Sequence, residues 1–158
     1  MSVLSNIDIE IICQKLKLPL ITCCPKDQLP KQKRKGYYII NMQNDKDEYG
    51  NDLEGSHWVA FGITKNGAFY CDSMGVIPPT VVVEYLKEFK PVPYNIQEIQ
   101  HIHSTDCGWF AVAVSHYIHN SPKKNTAESL TDFIHMFSES NLIKNNTILQ
   151  NYFTSRLK

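Results

Sequence analysis

Cys107 stands in the heptapeptide STDCGWF (104–110), and an apolar run in helical spacing, FAVAVSHYI (Phe110 to Ile118), follows it directly. One cysteine is thereby expected where a loop turns into a buried helix. At a helix N-terminus the unpaired backbone N–H groups and the positive end of the macrodipole favour a thiolate. The same N–H groups stabilise a developing oxyanion. Gly108 lets another backbone approach closely at that point. On position alone, three readings of Cys107 fit: a packed small apolar residue, a metal ligand or a nucleophile.

A nucleophilic thiolate needs a base. Of the six histidines, His116, His119 and His135 fall on expected helices and read as surface or packing residues. His101 and His103 lie close to Cys107 along the chain, and with it they suggest a zinc site that lacks a fourth ligand. His57 opens a strand after a Gly-Ser turn, so its imidazole projects from the end of a sheet. The dipeptide Asn66–Gly67 makes a hairpin, and pairing about that turn brings Asp72 close to the level of His57. A carboxylate there fixes the imidazole tautomer and stabilises imidazolium. Read alone, an Asp before Ser-Met-Gly is equally a turn-capping residue.

The elements that must position these residues follow from periodicity. A first helix runs from Ile7 to Leu16, capped by Asn6 and ended by Pro19. Strands are expected over 36–43, 57–64 and 68–74, with a polar loop between the first two. Pro78 and Pro79 open a helix through Val81, Val82, Tyr85, Leu86 and Phe89. A further strand over 94–102 leads to the helix at Cys107, which extends to about His119. Helices over 126–137 and 141–157 complete an α+β layer fold in one domain, 1–158.

Composition narrows the function classes. Sixteen basic residues balance sixteen acidic ones, so overall charge does not advertise a polyanionic partner. The one basic run is Lys26–Lys35, of the kind that usually forms a solvated loop. No apolar run reaches the ~18–20 residues that span a bilayer. The N-terminal stretch, interrupted by Asp8 and Glu10, does not read as a signal peptide, and the expectation is a protein that is not secreted. Five cysteines, an odd number without a C-x-x-C pair, fit neither a disulfide framework nor a common zinc pattern. Cys13, Cys23, Cys24 and Cys71 are expected to pack as small apolar residues, the adjacent Cys23 and Cys24 only partly buried.

Three boxes, GSHWVAF (55–61), FYCDSMGVIPP (69–79) and IQHIHSTDCGWF (99–110), resemble those of the adenain-like cysteine proteases. That family includes the adenovirus maturation protease and the proteases of Polinton/Maverick elements and virophages. The ubiquitin-like-protein proteases are more distant, with the same His–Asp–Gln–Cys order. The resemblance spans roughly residues 5–120, and the last third of the chain carries no matching motif.

The resemblance implies a papain-like fold in which His and Asp precede Cys, with a central, mostly antiparallel sheet between helices. It makes His57 the general base, Asp72 its orienting partner, Cys107 the nucleophile and Gln100 the side-chain donor of the oxyanion hole. Gln100 lies seven residues before Cys107, as in the adenain branch; the ubiquitin-like-protein proteases usually have six, which here is His101. Asp72 departs from the Glu of adenovirus enzymes and matches the Asp usual elsewhere in the family. Trp58 and Gly108 are expected to border the substrate channel; packing explains Trp58 equally well.

The function so implied is metal-free, cofactor-free cleavage of virion precursors, such as capsid proteins, at glycine-containing sites. The enzyme would be a monomer in the virion and in the host cytoplasm or virus factory. An activating peptide is compatible with it, and DNA binding is expected to be weak. The rivals are a protease for ubiquitin-like modifiers and an inactive binding module of the same fold.

Overall fold

The computed structural model describes residues 1–52 and 57–158. The Gly-Ser turn expected at Gly55 and Ser56 lies outside the described residues. In chain order the elements are α1 (Asn6–Lys15), β1 (Leu20–Pro25), β2 (Gly36–Asn41), β3 (Trp58–Thr64), β4 (Gly67–Cys71), α2 (Thr80–Tyr85), α3 (Cys107–Asn120), α4 (Thr126–Ile134) and α5 (Leu142–Thr154). A single 3-10 turn, Lys87–Phe89, follows α2.

The architecture is α+β, with the strands in spatial order β1-β2-β3-β4. β2–β3 and β3–β4 pair antiparallel, but β1 pairs parallel with β2, so the sheet is mixed. Alternation along the strands sends side chains to two cores. Tyr37, Ile39, Ala60, Phe69 and Cys71 pack with residues of α1, α3, α4 and α5. Tyr38, Ile40, Val59, Phe61 and Tyr70 pack on the opposite face with Val82 and Leu86. Every residue of β2 is consequently buried. A strand covered on both faces is a stiff frame, and β3, its neighbour, carries His57 at its edge of entry. Among the described residues, no helix is long and apolar enough to cross a membrane.

Local signals explain most boundaries, and several ends differ from expectation by a few residues, α2 stopping at Tyr85 rather than Phe89. Ser5, not Asn6, caps α1: its hydroxyl accepts from Asp8 N–H while Asp8 accepts from Ser5 N–H, a reciprocal capping box. The same helix ends before Pro19, in a Schellman turn: Leu18 N–H donates to Cys13 O, Lys17 N–H donates to Gln14 O, and Lys17 takes a left-handed φ of 56°. The strand β1 was not expected, because its partner lies beyond the basic run and no hairpin turn announces a parallel pair.

The expected strand over 94–102 does not form. Among the described residues its only ladder contact is an isolated bridge between Tyr70 and Tyr94. The segment's backbone is used otherwise: Tyr70 N–H donates to Pro93 O at 2.9 Å, and Ile99 and Gln100 N–H both donate to Ser73 O, at 2.8 and 3.0 Å. Apolar residues at 94, 96, 99 and 102 suggested a strand, but Tyr94, Ile96 and Ile102 are exposed and Ile99 alone of the four is buried, so they form no buried face.

The C-terminal third, without a motif, holds this segment from behind. Asn145 on α5 is fully buried and donates through Nδ2 to Ile99 O and Ser138 O, both at 2.9 Å, while its Oδ1 accepts from Ser138 N–H at 2.7 Å. Stranding buried polar groups costs about 1–3 kcal/mol. Asn145→Ala is therefore expected to lower unfolding free energy by about 2–3 kcal/mol. Urea denaturation checks this; Asn145→Leu, equally apolar but larger, should not restore the loss.

Candidate active site

Cys107 is the first residue of α3. The residue before it, Asp106, caps the helix without a side-chain hydrogen bond, which leaves first-turn N–H groups to other acceptors. The half-buried sulfur accepts from Gly108 N–H, from Trp58 N–H at 3.5 Å and from the imidazole of His57. The nucleophile candidate thus sits where the start of β3 and the start of α3 converge.

His57 joins that sulfur to a buried carboxylate. Its Nε2 lies 2.7 Å from Asp72 Oδ1, which leaves Nδ1 for the sulfur. The last ladder pair of the hairpin is Ala60–Cys71, so Asp72 comes one residue after it and His57 three residues before it. The backbone of His57 is fixed by Met42 N–H, which donates to its carbonyl at 2.8 Å.

Asp72 is only 2 % exposed. Its Oδ1 also accepts from Met74 N–H at 2.8 Å, and its backbone is gripped by Asn95: Asp72 N–H donates to Asn95 Oδ1 at 3.1 Å, and Asn95 Nδ2 returns to Asp72 O at 2.6 Å. Gly75 completes the turn with φ 72°; a side chain there would meet Ile96 O at 2.7 Å.

Gln100 is 3 % exposed and held at both ends. Its Oε1 accepts from the Ser73 hydroxyl, and its Nε2 donates to Ser104 O at 2.9 Å. These bonds fix the amide orientation, because the carbonyl end faces a hydroxyl and the amine end a carbonyl. One of its two N–H donors is uncommitted among the described residues. The backbone of Ser73 accepts from Gln100 N–H, so the segments carrying Asp72 and Gln100 are stitched directly together.

The electrostatics favour an ion pair. For His57, burial works against the charged form, but the hydrogen bond and charge of Asp72, with the Cys107 contact, carry its pKa up to about 9. For Cys107, burial raises the pKa, and the hydrogen bond from His57 with the Trp58 and Gly108 N–H groups more than reverses this. The other thiols go the opposite way. Burial pushes Cys13 up to about 12 and raises Cys23, Cys24 and Cys71 as well. All five cysteines are free, with Cys23 and Cys24 half-buried and Cys13 and Cys71 buried, as expected of packing residues.

Trp58 is half-buried; its indole Nε1 donates to Leu4 O at 3.1 Å. Gly108 is buried, and what approaches it is a side chain rather than the backbone anticipated: a Cβ there would meet Leu4 Cβ at 3.1 Å and Trp58 Cδ1 at 3.4 Å. His101 and His103 contact each other, His103 N–H donating to His101 Nδ1 at 3.2 Å. Among the described residues no three His, Cys, Asp or Glu side chains converge as metal ligands. Cations cluster in space more than along the chain: Lys35 joins Lys65, Lys123 and Lys124 around one cleft, away from Cys107. Sequence reasoning missed Asn95, Ser73 and Ser104, which hold Asp72 and Gln100; Asn and Ser in loops carry no signal that separates such a role from an ordinary turn.

Iodoacetamide near neutral pH is expected to label Cys107 ahead of the other four cysteines, as mapped by peptide mass spectrometry. Asp72→Asn removes the charge that raises His57. The imidazolium then deprotonates at lower pH and supports the thiolate less, so the midpoint of Cys107 alkylation should move upward. An unchanged midpoint would show that Asp72 does not act through His57. No protein-family model matches the chain and no curated protein is similar to it, so the chemistry assigned to this site rests on its geometry.

Proposed function

We propose that the chain is a cysteine endopeptidase of the papain-like type, acting through Cys107, His57, Asp72 and Gln100. One observation carries the reading: a single imidazole joins a buried carboxylate to a thiol at a helix N-terminus, 2.7 Å from the former and hydrogen-bonded to the latter. A structural cysteine needs no such partners, and the remaining four have none of this kind.

In the proposed reaction the Cys107 thiolate attacks the scissile carbonyl carbon. The carbonyl oxygen gains negative charge and takes hydrogen bonds from the Cys107 backbone N–H and the free Nε2–H of Gln100. Imidazolium His57 gives its proton to the leaving amine as the C–N bond breaks, forming a thioester. Neutral His57 then takes a proton from water. The resulting attack releases the carboxylic acid and restores the thiolate–imidazolium pair. Asp72 keeps the ring oriented and offsets its positive charge throughout. Activity requires thiolate and imidazolium together, so it should fall as the thiol protonates in acid and again as His57 deprotonates near pH 9.

The resemblance to adenain-like proteases suggests virion precursor proteins as substrates, with a monomeric enzyme working in the virion or infected cell. By the same resemblance Trp58, the residue after His57, borders the substrate channel and leaves room for glycine rather than a branched side chain next to the scissile bond. Incubation with capsid precursors and with ubiquitin-like modifiers, followed by mass spectrometry of new termini, separates the two protease readings. New termini should lie beside glycine or another small residue; termini mainly beside bulky aromatic residues would contradict this preference.

Cys107→Ala and His57→Ala should each abolish cleavage, and the double variant should be little worse than either, since the pair works as a unit. Gln100→Ala should lose roughly 10²–10³ in kcat, the usual cost of one oxyanion donor, with a smaller change in KM. Wild-type turnover by Cys107→Ala would end the proposal, and wild-type turnover by Gln100→Ala would move the oxyanion donor elsewhere.

A further inference from the structure

Residues 2–4 form a strap across the outside of the site. Both tryptophans of the chain are tied to it: Trp58 Nε1 donates to Leu4 O at 3.1 Å, and Trp109 Nε1 donates to Ser2 O at 2.8 Å. One tryptophan follows His57, and the other lies two residues after Cys107. The side chain of Leu4 is 6 % exposed although Ser2, Val3 and Ser5 around it are exposed. It fills the space over Gly108, its Cβ and Cδ1 lying 3.1 and 3.3 Å from where a Cβ would stand. At its far end the strap is anchored by the Ser5–Asp8 capping box on α1, whose Ile9 and Cys13 are buried.

Leu4 therefore touches the two residues, Trp58 and Gly108, whose backbone N–H groups reach the Cys107 sulfur. We propose that the strap is a positioning element of the Cys107 thiolate, with Leu4 holding the start of β3 and the start of α3 at a fixed separation. This rests on the reading of Cys107 as the nucleophile. Among the described residues the charged groups at the site include His57, Asp72 behind it, and Asp106, the residue before Cys107, whose carboxylate lies 3.6 Å from the amino nitrogen of Met1. Leu4 is uncharged and alters none of them directly. It acts through distance: a misplacement of the reacting groups by about 1 Å costs up to ~10² in rate.

The test uses the full chain with Leu4→Ala, Leu4→Met and Trp109→Phe. Three quantities are read: the pH midpoint of Cys107 alkylation by iodoacetamide, the kcat and KM for a glycine-containing peptide, and the fluorescence of the two tryptophans. Leu4→Ala should raise the alkylation midpoint, shift the emission to the red and lower kcat roughly 10- to 100-fold, with KM changed less than about twofold. Leu4→Met, similar in volume, should restore most of each. Trp109→Phe keeps the ring on Phe153 but loses the bond to Ser2, and should move the midpoint and kcat in the same direction by less. If Leu4→Ala does not fold, Trp109→Phe decides.

A folded Leu4→Ala with the wild-type midpoint and kcat overturns the proposal, as does one faster than wild type, which would make the strap a plug. Failure of Leu4→Met to restore either quantity overturns it too. Should the wild-type chain cleave no peptide, the protease reading fails, while the alkylation midpoints still decide whether the strap positions the thiolate.

Discussion

A carboxylate taken out of water costs several kcal/mol unless hydrogen bonds and an opposite charge replace what it loses. Asp72, almost fully buried, recovers that cost from Met74 N–H and the His57 ring. The arrangement at Cys107 depends on this contact. With Nε2 engaged by Asp72, the ring has one nitrogen left, and it faces the sulfur. The charge that Asp72 favours on His57 is the charge that favours a thiolate on Cys107. Two groups that burial alone would keep neutral are each shifted toward the charged form, His57 by Asp72 and Cys107 by His57 with the Trp58 and Gly108 N–H groups.

The fold serves that contact by bringing distant backbone segments together. The buried β2–β3–β4 frame sets the level of His57 and Asp72, and α3, packed on the same sheet, brings its N-terminus to the side of the His57 ring away from Asp72. The irregular segment after α2 does what a regular strand could not. A ladder would spend its N–H and C=O groups on repeating pairs; here Pro93, Asn95, Ile99 and Gln100 instead bond Tyr70, Asp72 and Ser73 at unequal intervals. Gln100 is thereby delivered to the same neighbourhood as Asp72, and Asn145 closes the segment from the α5 side.

Much of this was legible in the sequence, for identifiable reasons. The hairpin could be read because Asn66–Gly67 is a strong local turn signal, and α3 because its apolar run has no competing strand pattern. His57, Asp72 and Cys107 each have a structural use when read alone, and could be singled out because with Gln100 they fall in the His–Asp–Gln–Cys order of the resemblance. The parallel strand β1 could not, since its pairing depends on a partner with no local link to it. Segment 94–102 misled because apolar residues recur along it as they do in strands, while Ile96 and Ile102 remain exposed in the fold. The supporting groups Asn95, Asn145, Ser73 and Leu4 were invisible for another reason. Their roles are defined by what they touch across the fold, and an Asn or Leu looks the same in any setting. Lys65, Lys123 and Lys124 lie outside the one basic run of the sequence, and folding brings them to one cleft with Lys35.

The central claim is that Cys107 carries the acyl group of a cleaved substrate. It is tested most directly by mixing the protein with an activated ester of a short glycine-terminated peptide, quenching in acid within the first turnover and locating the added mass. The account predicts one acyl group, in thioester linkage on Cys107, formed much more slowly when His57 is replaced by alanine. An acyl group on another residue, or ester hydrolysis with no acylated Cys107 at any quench time, would contradict it.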